Sequence, residues 1–135
     1  MRKLYISLIL TFIVSASITG CDDKTENDYI YNFKVISSGG NFTGYYFADA
    51  DTPTAFTGAL MSGSTDTYLF ESPVDPDDSI TVAADGEANG ASSITIYLFK
   101  DGAKIKTVTA TPTVTDGAVH ALLEHSLSEE TTSSK

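Results

Sequence analysis

Residues 29–125 predict an all-β fold, a small immunoglobulin-like antiparallel β-sandwich of seven or eight strands, and three observations carry that expectation. Short runs rich in β-branched and aromatic residues recur along the segment. Clusters of Gly, Pro, Asp, Asn and Ser punctuate them roughly every 8 to 12 residues. Nowhere in it do apolar residues hold the spacing i, i+3, i+4, i+7 with helix-forming composition.

The first predicted strand, 29–36, contains Tyr31-Asn32-Phe33-Lys34-Val35 and stops at Ser37-Ser38-Gly39-Gly40. The second, 42–48, contains Tyr45-Tyr46-Phe47, adjacent aromatics that must point to alternate faces. At least one ring therefore leaves the core unless both faces are covered; together with Tyr97 and Phe99 such rings could form an exposed aromatic strip suited to a partner or, less readily without tryptophan, a sugar, although ordinary edge or core packing is the simpler reading. Asp49-Ala50-Asp51-Thr52-Pro53 turns the chain into 55–61, and Ser62-Gly63-Ser64 leads to 67–72. After Pro73-Val74-Asp75-Pro76-Asp77-Asp78 comes 79–84, and after Asp85-Gly86-Glu87-Ala88-Asn89-Gly90 come 93–100, 103–110 and 118–124.

Asp101-Gly102, set between two strand-like runs, predicts a two-residue type I′ hairpin. With that loop, Leu98 should face Ile105 and Ile96 should face Thr107. Ile94, Ile96, Leu98 and Ile105 would then form a core face, leaving Tyr97 and Phe99 on the other face with Lys104 and Lys106.

Ahead of this domain, Arg2 and Lys3 precede a mostly apolar run of 13 residues, 4–16, and then small residues and Cys21, the single cysteine. That is the three-part plan of a secretory signal peptide. As a helix the run would be about 20 Å long, short of the roughly 30 Å hydrocarbon core of a bilayer. Ile18-Thr19-Gly20-Cys21 resembles the bacterial lipobox, so residues 1–20 read as a lipoprotein leader. The resemblance implies cleavage between Gly20 and Cys21, a diacylglyceryl group on the Cys21 sulfur and, often, an acyl chain on the new amino end. A thiol is a suitable nucleophile for that transfer. Two or three acyl chains, at about 0.8 kcal/mol per buried methylene, make a long-lived anchor.

Residues 21–28 then read as a lipidated, polar tether; its seven residues after the cysteine span at most about 25 Å. Acidic residues directly after the cysteine resemble those of lipoproteins retained in the inner membrane of enteric bacteria, and equally those exported to the cell surface in other phyla. The expected place is the cell envelope, on the periplasmic or the cell-surface side. Residues 126–135 read as a disordered tail.

From residue 29 onward the order of strands also resembles the extracytoplasmic domain of the mycobacterial MmpS family, small β-sandwich proteins that accompany lipid-exporting transporters. Tyr31-Asn32-Phe33-Lys34-Val35, Ser79-Ile80-Thr81-Val82-Ala83-Ala84 and the hairpin through Asp101-Gly102 carry the likeness. Members of that family keep a membrane-spanning helix and usually a cysteine pair, in which this sequence departs from them.

Without the leader the chain keeps six basic residues against 18 acidic ones, a formal charge of −12. That argues against nucleic acid and against adsorption to anionic lipid, both of which need clustered cations. His120 and His125, five residues apart on a strand, should point to opposite faces. No Gly-x-Ser-x-Gly or Ser-x-x-Lys motif occurs in the predicted domain, so catalysis is not expected and no cofactor is implied. The loops Asp49-Ala50-Asp51 and Asp75-Pro76-Asp77-Asp78 hold oxygen ligands of the kind calcium uses, but without EF-hand spacing; solvated turn residues are the simpler reading. The expectation is a membrane-anchored, non-enzymatic interaction module, serving either as an accessory of an envelope or transport complex or as a surface ligand-binding module or adhesin.

Overall fold

Strict alternation along the strands builds the core. In the computed structural model, which describes residues 30–49, 51–87, 90–91, 93–114 and 116–128, Tyr31, Phe33, Val35 and Ser37 of β1 (Tyr31–Ser38) are buried and the residues between them are half-buried. Eight further strands follow: β2 (Phe42–Ala48), β3 (Thr54–Thr57), β4 (Ala59–Leu60), β5 (Thr67–Val74), β6 (Ser79–Gly86), β7 (Ser93–Lys100), β8 (Ala103–Ala110) and β9 (Val119–Ser126). They form two sheets, one of five strands in the order β4-β5-β1-β7-β8 and one of four in the order β3-β2-β6-β9. Every pairing is antiparallel. The expected all-β sandwich is the fold, and no α-helix occurs among the described residues.

The inner faces meet through aromatic rings. Phe56 of the four-stranded sheet stacks on Phe70 of the five-stranded sheet, with ring centroids 4.4 Å apart and planes 11° from parallel. Phe33 lies 4.8 Å from Tyr46 and 5.9 Å from Phe70, which closes the cluster. Around it, Ile80, Val82, Ile94, Ile96, Leu98, Val119 and Leu123 are fully buried. Gly44, opposite Phe56 on β2, leaves room for that ring: a Cβ there would lie 2.5 Å from Phe56 Cζ and 2.2 Å from the Ala83 carbonyl oxygen.

Where one strand is predicted over 55–61, the chain makes two. β3 pairs with β2 in one sheet and β4 with β5 in the other, so the chain changes layers at Gly58. Gly58 N–H donates to the Phe42 carbonyl at 3.0 Å, and a Cβ on it would lie 2.2 Å from the Phe42 ring, so only glycine makes this crossing without displacing the ring. β5 runs on through Pro73 to Val74, beyond its predicted end. Its outer neighbour β4 covers only Tyr68 and Leu69, and an unpaired edge tolerates proline. β9 extends two residues past its predicted end to Ser126, and Leu127 N–H bonds the Asp78 carbonyl at 2.9 Å.

The hairpin forms, with Asp101 at φ 51° and Gly102 at φ 78° as a type I′ turn requires. Its register differs from the expectation. Phe99 pairs with Lys104 but Leu98 pairs with Lys106, so a β-bulge leaves Ile105 unmatched and 40% exposed. The uninterrupted register would have turned Thr107 and Thr109 toward the core. The bulge instead places Val108 opposite Ile96 and Ala110 opposite Ile94, and leaves the Thr109 hydroxyl outside, 3.1 Å from that of Thr95. Hydroxyls stay out and methyl groups go in. Lys106 consequently leaves the face it was expected to share with Tyr97, and its Nζ donates to the Glu124 carbonyl of β9 at 2.5 Å. Lys104 stays on the expected face, with Nζ 5.3 Å from the Tyr97 ring centre.

One end of the sandwich is acidic. Ile30 N–H donates to Asp101 Oδ1 at 3.0 Å, and Asp101 N–H returns a bond to the Ile30 carbonyl at 2.9 Å. Val74, paired with Tyr31, leads at the same end into the loop of Asp75, Asp77 and Asp78, which is bonded to Asp49.

Phe56→Ala removes the stacked ring and should cost about 3 to 5 kcal/mol. In a domain of this size that lowers Tm by about 12 °C or more. Gly44→Ala should cost about 1 to 3 kcal/mol through overpacking, whereas Thr57→Ala, outward on the same β3, should leave Tm nearly unchanged in a thermal melt.

Candidate functional site

The two outer faces of the sandwich differ in chemistry. On the four-stranded sheet, the outward positions of one rung are Ala55, Tyr45, Ala83 and Leu122, one from each strand. Tyr45 is 42% and Leu122 52% exposed. Phe47, the next outward residue of β2, lies with its ring 6° from parallel to that of Tyr45 at 6.4 Å. Of the Tyr45-Tyr46-Phe47 triplet, therefore, the middle ring enters the core and the outer two face solvent as a pair.

Tyr97 and Phe99 lie on the outer face of the other sheet, with ring centroids 6.3 Å apart. The single strip expected from the sequence is thus two separate surfaces, because β2 and β7 belong to different layers. Beside Phe99 a groove of about 290 Å³ is lined by Ile30, Asn32, Lys34, Glu71, Phe99 and Gly102. Glu71 holds its polar groups together: Oε1 accepts from Asn32 Nδ2 at 3.0 Å and Oε2 lies 3.4 Å from Lys34 Nζ. Asn32 Oδ1 is buried without a hydrogen-bond partner, which costs about 1 to 3 kcal/mol. Sequence reasoning did not find this cluster. Asn32 and Lys34 are visibly polar positions among aromatics, but Glu71 joins them only through the pairing of β1 with β5, 37 residues after Lys34.

His120 and His125 do take opposite faces. His125 lies 6.3 Å from the Tyr31 ring, at the inner side of the sandwich. His120 points outward between two carboxylates: its Nδ1–H donates to Asp85 Oδ1 at 2.7 Å, and Nε2 lies 3.6 Å from Asp116 Oδ2. Asp116 is itself fixed by the Thr113 hydroxyl and by the Ala118 N–H at 2.9 Å. The hydrogen bond to Asp85 raises the His120 pKa above its ordinary value; desolvation opposes this, and the Asp85 charge and Asp116 add to it. The two carboxylates make His120 a charge clamp between β6, β9 and the loop before β9.

The acidic loops meet, but their best-placed carboxylate is already engaged. Asp49, at φ 56°, accepts backbone N–H bonds from Asp77, Asp78 and Ser79. Desolvation by itself would raise the Asp49 pKa; the three N–H donors outweigh it and hold the carboxyl below its usual value. Among the described residues no cluster of three or more His, Cys, Asp and Glu side chains is arranged to hold a metal ion. Cys21 and Gly20, the expected lipidation and cleavage positions, lie outside the described residues. Compared with known protein families, curated proteins and solved structures, the chain matches none.

Because the folded-state pKa of His120 lies above the unfolded one, its stabilisation is complete below the unfolded value of about 6.5 and is lost as pH rises through the folded value. Wild-type Tm should therefore fall between about pH 6 and pH 8.5 more than that of His120→Gln, as thermal melts across that range would read. Asp49→Ala, which orphans three N–H groups, should cost about 1 to 2 kcal/mol, comparable to a lost helix cap. Calcium at about 1 mM should leave Tm unchanged, since those N–H groups occupy the Asp49 oxygens.

Proposed function

We propose that the chain is an exported bacterial lipoprotein whose β-sandwich acts, without catalysis, as an interaction module held near a membrane by lipidated Cys21, in the role of an accessory to an envelope or transport complex. The observation that carries the module reading is the paired, outward rings of Tyr45 and Phe47, with exposed Leu122 in the same rung as Tyr45 across Ala83. Apolar groups set side by side on an otherwise polar sheet face gain by being covered. The anchor rests on Ile18-Thr19-Gly20-Cys21 after a basic and apolar leader, and the accessory role on the likeness of strand order to the MmpS domains. With Lys34 tied to Glu71, and the cationic heads of Lys104 and Lys106 turned to a ring and a carbonyl, the acidic excess stays uncompensated, which fits a protein partner better than nucleic acid.

A second reading, a surface ligand-binding module or adhesin, is favoured by the groove beside Phe99. There an aromatic wall adjoins an amide, an ammonium and a carboxylate, the mixture that holds small polar ligands.

Mass spectrometry of the mature amino terminus should find Cys21 as the first residue, carrying diacylglyceryl. Finding the intact leader or an unmodified Cys21 would remove the anchor. Treating intact cells with an impermeant protease then separates the two roles. Protection until lysis supports the envelope accessory; cleavage on intact cells favours the ligand-binding module.

A further inference from the structure

Cations are segregated between the layers. Among the described residues Lys34, Lys100, Lys104 and Lys106 are the whole complement of Lys and Arg, and all lie on β1, β7 or β8 of the five-stranded sheet. The strands β2, β3, β6 and β9 contain none. Their outer face instead carries carboxylates on either side of its apolar rung. Asp85 lies two residues beyond Ala83 on β6, and Glu124 two residues beyond Leu122 on β9, in the opposite direction across the antiparallel pair.

Four residues of strand rise and one strand spacing separate those two positions, about 14 Å. An extended peptide places residues i and i+4 about 13 Å apart, with residue i+2 midway between them on the same side. Two cations at i and i+4 would therefore meet the two carboxylates while an apolar side chain at i+2 covers the rung. Tyr45 and Phe47 add ring faces that attract a guanidinium or an ammonium.

We propose, resting on the interaction-module reading, that the outer face of the four-stranded sheet docks a cationic protein segment in which a large apolar residue lies midway between two Lys or Arg residues. Anionic lipid and nucleic acid are repelled by the same carboxylates. A second copy of this face would set Asp85 and Glu124 against their own kind; among the described residues His120 is the face's one cationic side chain and Asp85 already holds it, while the nearby Lys106 ammonium is bonded to the Glu124 carbonyl at the sheet edge.

The test uses the full chain in detergent micelles and a labelled peptide of two Lys-Thr-Phe-Thr-Lys units, followed by fluorescence anisotropy. Peptides with Gln for Lys, or Ser for Phe, are the controls. The parent peptide should saturate and weaken as salt rises from about 50 to 500 mM, with each control about tenfold weaker. Tyr45→Ser combined with Leu122→Ser should weaken binding about tenfold. Thr43→Lys, an exposed position paired with Asp85 that leaves the core untouched, should do the same through charge alone and guards against a folding defect in the double variant. Equal binding to the variants, equal binding of the Gln peptide, or no saturation at about 1 mM overturns the proposal. So does sedimentation showing self-association lost with Leu122→Ser, or binding to phosphatidylglycerol vesicles lost with it. If Cys21 is lipidated and the peptide still fails to bind, the occupant is wrong and the anchored module stands.

Discussion

The stack of Phe56 on Phe70 is the contact on which the rest of this sandwich depends, because it joins the two layers at the point where their strands are least regular. β3, which carries Phe56, is only four residues long, and the chain leaves it at once for the other sheet. A strand that short is not held by its ladder alone. Its ring, seated over Gly44 and against Phe33, Tyr46 and Phe70, pins it. The same contact sets the phase of β2: with Gly44 and Tyr46 inward, Tyr45 and Phe47 must be outward. A one-residue slip would exchange the two sets and bury the outward pair. The exposed surface is thus a consequence of core packing.

Much of this was legible in the sequence, and the parts that were not share a cause. Turn chemistry is local, so Asp101-Gly102 announced its hairpin, and β-branched and aromatic runs announced most strands. Register and layer depend on residues far away. The bulge at Ile105 follows from whether Thr107 and Thr109 face the core, which the hairpin motif does not encode. The crossing at Gly58 follows from the position of the Phe42 ring. The outward pair at Tyr45 and Phe47 was legible as a constraint, since neighbours on a strand must alternate. Which ring went in, and that Tyr97 and Phe99 would occupy the other layer, required the pairing of the strands.

The lysines illustrate how charge is distributed in an acidic chain. Lys34 meets Glu71, Lys104 lies over Tyr97, Lys100 lies 5.6 Å from the Tyr31 ring centre, and Lys106 bonds a carbonyl of the opposite sheet. This last contact, with the bulge beside it, also blunts the neighbouring edges of β8 and β9, where unpaired backbone groups would otherwise invite another strand. What remains uncompensated is negative and lies largely on loops and on the four-stranded sheet.

The double bond between Ile30 and Asp101 fixes more than the start of β1. It holds Ile30 to the β7–β8 turn through both its N–H and its carbonyl, so the first described residue is already locked to the sheet. Ile30 enters β1 at the end of the sandwich that carries Asp49, Asp75, Asp77, Asp78 and Asp101, so the first strand begins at the negatively charged pole of the domain. Under the anchor proposed above, this pole would face the membrane, and an anionic bilayer would repel it.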